Sequence, residues 1–264
     1  MSYFHLNLIL KGKLTVCCLL MLPAIPLNAQ REAKQIGDFK ESISLNEHLR
    51  GTKRTLQYRP DGDEFVCVNG KNRYTRALYG SHSPFRVETS DRPVFAFYNN
   101  GRGGNISFKV ILRDGTELAL DCTGHCESRY SAGKRTYYLT DPSWGKGELR
   151  ISVLALADMD GAIWRFSPSN MPKGAILRWQ HGGATGKRLS RNGDMGVDPA
   201  DCFELPVEAT DLVTGELPLQ KEVYLVRGEV PEDYNVRKLY QQAEAASLAL
   251  ASHLKIETPD PYLN

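Results

Sequence analysis

Three features are scarce in this sequence, and each scarcity removes a class of function. Beyond the first thirty residues no apolar run approaches the roughly 20 residues that a helix needs to cross a bilayer, which excludes a spanning helix there. Basic residues are not clustered. The 33 Lys and Arg are interspersed with 31 Asp and Glu, for a formal net charge of +2, without the single-signed face that nucleic-acid binding uses. Nucleophile signatures are also missing: Gly80-Ser81-His82-Ser83 lacks the Gly-x-Ser-x-Gly spacing of a nucleophile elbow, and no Ser/His/Asp or Cys/His pattern is recognisable.

The one strongly apolar stretch opens the chain. Lys11 and Lys13 precede an apolar run over 14–27, and Asn28-Ala29-Gln30 supplies a small residue at a cleavage point. Residues 1–29 therefore read as a signal peptide cut after Ala29, with export to the periplasm or cell envelope. Cys17 and Cys18 lie inside the run rather than at its end, and Val16 stands where a lipoprotein site wants Gly, Ala or Ser. The mature chain is then 264 less 29, or 235 residues. A single all-β domain commonly occupies roughly 200–250 residues.

Cleavage leaves Cys67, Cys122, Cys126 and Cys202. An oxidising compartment permits disulfides, and four cysteines allow three pairings. At most one structural bridge is expected, with Cys122 and Cys126 as the candidate pair. A zinc site from Cys122, His125, Cys126 and Cys202 has weak support, because Cys-x3-Cys is not the favoured ligand spacing. Neither a metal nor a cofactor is expected.

After a polar lead segment at 30–51, short runs rich in Val, Ile, Phe, Tyr and Trp alternate with Gly, Asp, Asn and Pro. Strands are predicted at 64–68, 86–89, 94–98, 106–113, 117–121, 136–139, 149–157, 162–166, 176–179 and 223–227. Asp114-Gly115 is predicted to close a hairpin through a type I′ turn. Strand upon strand without intervening helices excludes a βαβ architecture and predicts an antiparallel β-sandwich over 52–230. Val236, Leu239, Ala243, Ala246, Leu250 and Leu254 then recur at three- and four-residue steps, the stripe of an amphipathic helix within 231–264. Such a helix either packs on the sandwich or leads to a further domain.

Residues 182–188 hold glycines and a Gly186-Lys187 pair, but His181 stands where a phosphate loop needs its first Gly, and Arg188 where it needs Ser or Thr. What remains is a long Gly-rich loop carrying Lys187, Arg188, Arg191 and Asp194 as candidate binding residues. Asp158 and Asp160 beside Gly161 read as turn residues rather than a catalytic pair. Trp164 and Trp179 fall in predicted strands and belong to the core, whereas Trp144 lies in a loop and is the candidate exposed ring for sugar stacking.

Asn72-Arg73-Tyr74 with Leu78-Tyr79-Gly80, Phe85-Arg86-Val87 with Asp91-Arg92-Pro93, and Gly103-Gly104-Asn105 resemble a domain of unknown function, the family numbered 4450, found in exported proteins of Bacteroidetes. His181-Gly182-Gly183, Gly186-Lys187-Arg188, Arg191-Asn192-Gly193-Asp194-Met195-Gly196 and Cys202-Phe203 extend the resemblance. It implies a super-sandwich-like domain followed by a linker helix that enters a glycosidase-like (α/α) toroid, so that 231–264 would point toward a toroid this chain lacks. It assigns no catalytic residue to the sandwich. The expected function is the non-catalytic sandwich portion of an exported, carbohydrate-processing protein used in polysaccharide utilisation. The expected partner is a glycan or a glycosidase-like catalytic domain. A stand-alone carbohydrate-binding module is the alternative, and a self-sufficient glycosidase ranks third.

Overall fold

The computed structural model describes residues 57–80, 85–99, 102–131, 133–182 and 212–251. The first strands are β1 (Arg59–Asp61), β2 (Glu64–Val68), β3 (Arg76–Tyr79), β4 (Arg86–Thr89) and β5 (Phe95–Asn99). Then come β6 (Arg102–Ile111), β7 (Glu117–Ala119), β8 (His125–Ser131), β9 (Lys134–Thr140) and β10 (Glu148–Ala155). The last are β11 (Gly161–Ser169), β12 (Ile176–Gly182), β13 (Leu212–Pro218) and β14 (Val223–Gly228), followed by a helix, α1 (Val236–Ala251).

The strands form two antiparallel sheets. The first runs β1-β2-β8-β9-β10-β11-β14; the second runs β13-β12-β6-β5-β4-β3, with β7 paired to the far half of β6. Side-chain alternation fixes which face each strand buries. On β10, Leu149, Ile151 and Val153 turn inward beside Ala162, Trp164 and Phe166 of β11, with Val153 registered on Trp164. The second sheet answers with Phe95, Phe97, Ile106, Phe108 and Val110. Rings interlock edge-on between the sheets: Phe95 lies 5.6 Å from Trp164 and 5.8 Å from Tyr137, and Phe108 lies 5.1 Å from Phe166. Edge-to-face pairs of this kind contribute about 0.5–1.5 kcal/mol beyond their buried area. The architecture is the antiparallel β-sandwich expected.

The helix covers the outer face of the first sheet. Leu239, Tyr240 and Ala243 are buried against Leu154, Ile163 and Val226, whose side chains point away from the main core. Lys134 Nζ, 2.9 Å from Glu244 Oε1, ties the helix to β9. The expected stripe is seated only in part: Leu239 and Ala243 are buried, Ala246 is half-buried and Leu250 is 64% exposed. Leu254 lies outside the described residues. Tyr240, absent from the expected stripe, is among the largest fully buried side chains.

One turn differs from expectation. Gly115 does take positive φ, at +87°, but the hairpin closes through a Leu112–Gly115 turn, with Gly115 N donating to Leu112 O and Leu112 N donating to Thr116 O. That is a three-residue link ending in a left-handed glycine rather than a two-residue type I′ turn. Asp158 and Asp160 lie in the turn between β10 and β11, as their sequence context indicates.

Candidate functional site

Among the described residues, a loop over residues 69–75, between β2 and β3, is held by a dense set of hydrogen bonds. Asn69 leaves β2 with φ +51°, exchanging hydrogen bonds with Cys126: its backbone N donates to Cys126 O and its Oδ1 accepts from Cys126 N. Asn is one of the few side chains that adopts this conformation readily. Tyr74 closes the loop, also left-handed at φ +53°, where an aromatic residue has no such preference. What holds it there is Ser90, whose Oγ accepts from Tyr74 N at 2.8 Å. Backbone held in sparsely populated regions costs on the order of 1–3 kcal/mol and persists where surrounding contacts over-determine it.

Asp91 is the anchor of those contacts. Its Oδ2 accepts from the backbone N of Asn72 at 2.9 Å, its own N donates to Asn72 O, and its Oδ1 accepts from Tyr58 Oη and Thr75 Oγ1. Gly70 passes so close that a Cβ there would collide with the Asp91 carboxylate and with Cys67 Sγ. The loop is therefore pinned at both ends and in the middle.

Beside it opens a cleft of about 420 Å³, within the range of roughly 300–1,000 Å³ typical of small-ligand sites. Lys71, Asn72 and Arg73 form one wall, Ser90 and Arg92 with Pro93 a second, and Asn105, Ser107 and Asp121 a third. Arg92 is fixed by neutral oxygens: Nη1 donates to the carbonyls of Asp121 and Thr123 at 3.1 and 2.8 Å, and Nη2 to Asn69 Oδ1 at 3.4 Å. The Asn105 side-chain oxygen is shielded from solvent and has no hydrogen-bond partner among the described residues. Leaving such a group unpaired costs about 1–3 kcal/mol. Among the described lining residues, Asp121 is the one carboxylate and Lys71, Arg73 and Arg92 are the cations.

The candidate residues from sequence fare differently. Lys187, Arg188, Arg191 and Asp194 lie outside the described residues. Trp144 is not an exposed ring: it is 2% exposed and belongs to the main core. The cause is a single 3-10 turn, Pro142–Trp144, capped by Asp141, whose Oδ1 accepts from Ser143 N at 2.9 Å. Burial works against the Asp141 carboxylate, but hydrogen bonds from Ser143 and Gly124 outweigh it and hold the group below the usual range. The turn swings the indole inward. Trp164 is core as expected, fully buried, while Trp179 is half-buried with the Arg227 guanidinium 5.3 Å from its ring.

The Cys122–Cys126 bridge is not formed. Cys67, Cys122 and Cys126 are all free thiols; Cys122 is exposed in the 3-10 turn Leu120–Cys122, and Cys126 is buried on β8. Cys122 ends an exposed turn while Cys126 is buried one residue into the strand that follows, so proximity in sequence does not make them a bridged pair. Burial pushes the Cys126 thiol up to about 12. Among the described residues no group of three or more His, Cys, Asp or Glu is placed to hold a metal. Cys202 lies outside them.

A sequence reading fixed on single loops passed over this cleft, although three of the quoted motifs converge on it: Asn72-Arg73, Arg92-Pro93 and Asn105. Those motifs were the available signal.

The fold thus defines an antiparallel β-sandwich with a helix on one outer face and a cation-rimmed cleft between its loops. Residues 100–229 match the family model described as a domain of unknown function (DUF4450). The third wall of the cleft, from Asn105 to Asp121, falls inside the matched segment; the other two precede it. No curated protein matches the chain.

Proposed function

We propose that this domain is the non-catalytic sandwich portion of an exported carbohydrate-processing protein, binding glycan through the cleft while a separate catalytic domain breaks the bond. The observation that supports this is the lining itself. Glycoside hydrolysis uses two carboxylates set across the scissile bond, one donating a proton and the other acting as base or nucleophile. The cleft offers polar groups, three cations of which Arg92 is held in place, and a single carboxylate, Asp121. Asp91 lies beneath it with its oxygens already committed to Tyr58, Thr75 and Asn72. Export follows from the Lys11, Lys13 and Ala29 pattern, and the mature N-terminus should be Gln30.

The test is to incubate the purified chain with a panel of plant and host polysaccharides, measuring both retention on the glycan and new reducing ends. Binding without turnover is the expected result. Turnover of any glycan that Asp121→Asn abolishes would overturn the non-catalytic reading. A toroid-like sequence encoded directly downstream would favour the two-part protein over a stand-alone binding module.

A further inference from the structure

Resting on the carbohydrate-binding reading, we propose that the cleft selects an acidic saccharide, one whose carboxylate or sulfate sits against Arg92 with Lys71 and Arg73 at the rim.

Charge is the first argument. Three cations from two separate loops converge on a space with one carboxylate, in a chain whose charges are otherwise interspersed. Lys71 and Arg73 are exposed at the edge, where long side chains steer an anion inward. Arg92 is half-buried and its hydrogen-bond acceptors are backbone carbonyls and an amide oxygen rather than a carboxylate. Those acceptors orient the guanidinium without neutralising it, and a planar guanidinium matches carboxylate and sulfate geometry in a way an ammonium does not.

Pre-organisation is the second. Lys71, Asn72 and Arg73 lie on the loop pinned by Asp91 and closed by the left-handed Tyr74. The residues that would meet the ligand are therefore positioned before it arrives, which spares the ordering cost of binding. Ser90 and Ser107, with the amides of Asn72 and Asn105, complete a lining suited to the hydroxyl groups around a sugar ring. An acid group for the cations and hydroxyls for the amides and serines together describe an acidic saccharide better than a bare anion.

The experiment is calorimetry on the full chain with four probes: an oligogalacturonate, its neutral methyl ester, a sulfated galactan oligosaccharide, and inorganic sulfate. Lys71→Ala/Arg73→Ala is the variant, chosen because both positions are exposed, with its thermal midpoint as the folding control. At least one acidic oligosaccharide should bind, more weakly at high salt, and about tenfold more tightly than its neutral counterpart. The double variant should lose about tenfold in affinity for it. Which acidic probe binds separates carboxylate from sulfate recognition. Equal affinity for ester and acid, or a double variant that binds like the parent, would overturn the acidic selectivity and leave glycan binding standing. Sulfate alone binding as tightly as the oligosaccharides would overturn the saccharide assignment. Binding of none of the glycans would sink this inference and the carbohydrate reading together.

Discussion

Arg135 and Asp91 meet from the two sheets of the sandwich, Nη2 3.7 Å from Oδ1, and neither side chain is exposed to solvent. Arg135 comes from β9, and Asp91 follows β4. The same Nη2 donates to Ser128 Oγ at 3.0 Å and Tyr58 Oη at 3.2 Å, so the charge is spread over a polar cluster within the apolar core. Tyr137 joins it from the same strand as Arg135, donating from Oη to Ser90 O at 2.8 Å. Nε and Nη1 of Arg135 have no partner among the described residues. Desolvation therefore consumes much of what the pair supplies, and its clearest structural consequence is placement: Asp91 in turn fixes the loop that walls the cleft.

The first prediction follows. Arg135→Met strands a buried carboxylate and should cost about 3–5 kcal/mol in urea unfolding, as should Asp91→Asn in the opposite sense. The double variant should cost markedly less than the sum, giving a coupling energy above about 0.5 kcal/mol. Additive losses would mean that the two residues do not act as a pair.

How much of this was legible beforehand depends on what each strand buries. The ranges of β2, β4, β9, β11, β12 and β14 could be read from Val, Ile, Phe, Tyr and Trp in alternation. β8 was missed although it is central to its sheet. Its sequence, His-Cys-Glu-Ser-Arg-Tyr-Ser, buries Cys126 and Ser128 beside the Arg135 cluster, so its inward face is polar and hydrophobic alternation cannot show it. β3 and β13 are weakly patterned edge strands. The cleft is legible only as separate motifs, because Asn72, Arg92 and Asn105 become neighbours through strand pairing over distances that no local spacing encodes. Trp144 was misread for a related reason: loop position was taken to imply exposure, and an Asp-capped turn reverses it.

The thiols should react in two classes. In native protein Cys122 should be alkylated by maleimide, while Cys67 and Cys126 should react only after unfolding. Reactivity follows the thiolate, and Cys126, raised to about 12 by burial, holds almost none at neutral pH. Peptide mapping of the labelled chain reads this directly. Equal labelling of Cys122 and Cys126 under native conditions would contradict their placement.

The helix should show a gradient along its length. Leu239, Tyr240 and Ala243 are buried on the first sheet, whereas Leu248 and Leu250 are exposed. Amide exchange should accordingly be slow through Ala243 and fast over the last turn. Leu239→Ala should cost about 2–3 kcal/mol, at the lower end for a leucine that borders solvent. Leu250→Ser should be nearly neutral, within about 0.5 kcal/mol. Uniformly fast exchange from Val236 onward would show that the helix is not docked, and an effect of Leu250→Ser as large as that of Leu239→Ala would place its seat elsewhere.

The last prediction concerns His181, at the end of β12. Its ring lies 5.1 Å from Phe97, and its Nδ1 accepts from Arg227 Nε at 3.0 Å, across from the other sheet. An imidazole whose Nδ1 accepts must be neutral with the proton on Nε2. Burial is the main reason the charged form is disfavoured and the Arg227 guanidinium adds to it, bringing the group from its ordinary 6.5 to about 4. Between those values the unfolded chain holds a proton that the folded chain does not, so stability rises with pH across that window. The contribution is complete above pH 6.5 and is lost as pH falls toward 4, by an amount on the order of 3 kcal/mol. Carboxylates also titrate at the lower end, so the informative quantity is the difference between the parent and His181→Gln, whose amide oxygen can still accept from Arg227 without titrating. The parent should lose more stability than the variant between pH 6.5 and 4, and the imidazole C–H resonances of His181 should titrate well below those of a free histidine. Parallel stability profiles, together with titration near 6.5, would mean that His181 is hydrated and free of Arg227 in solution.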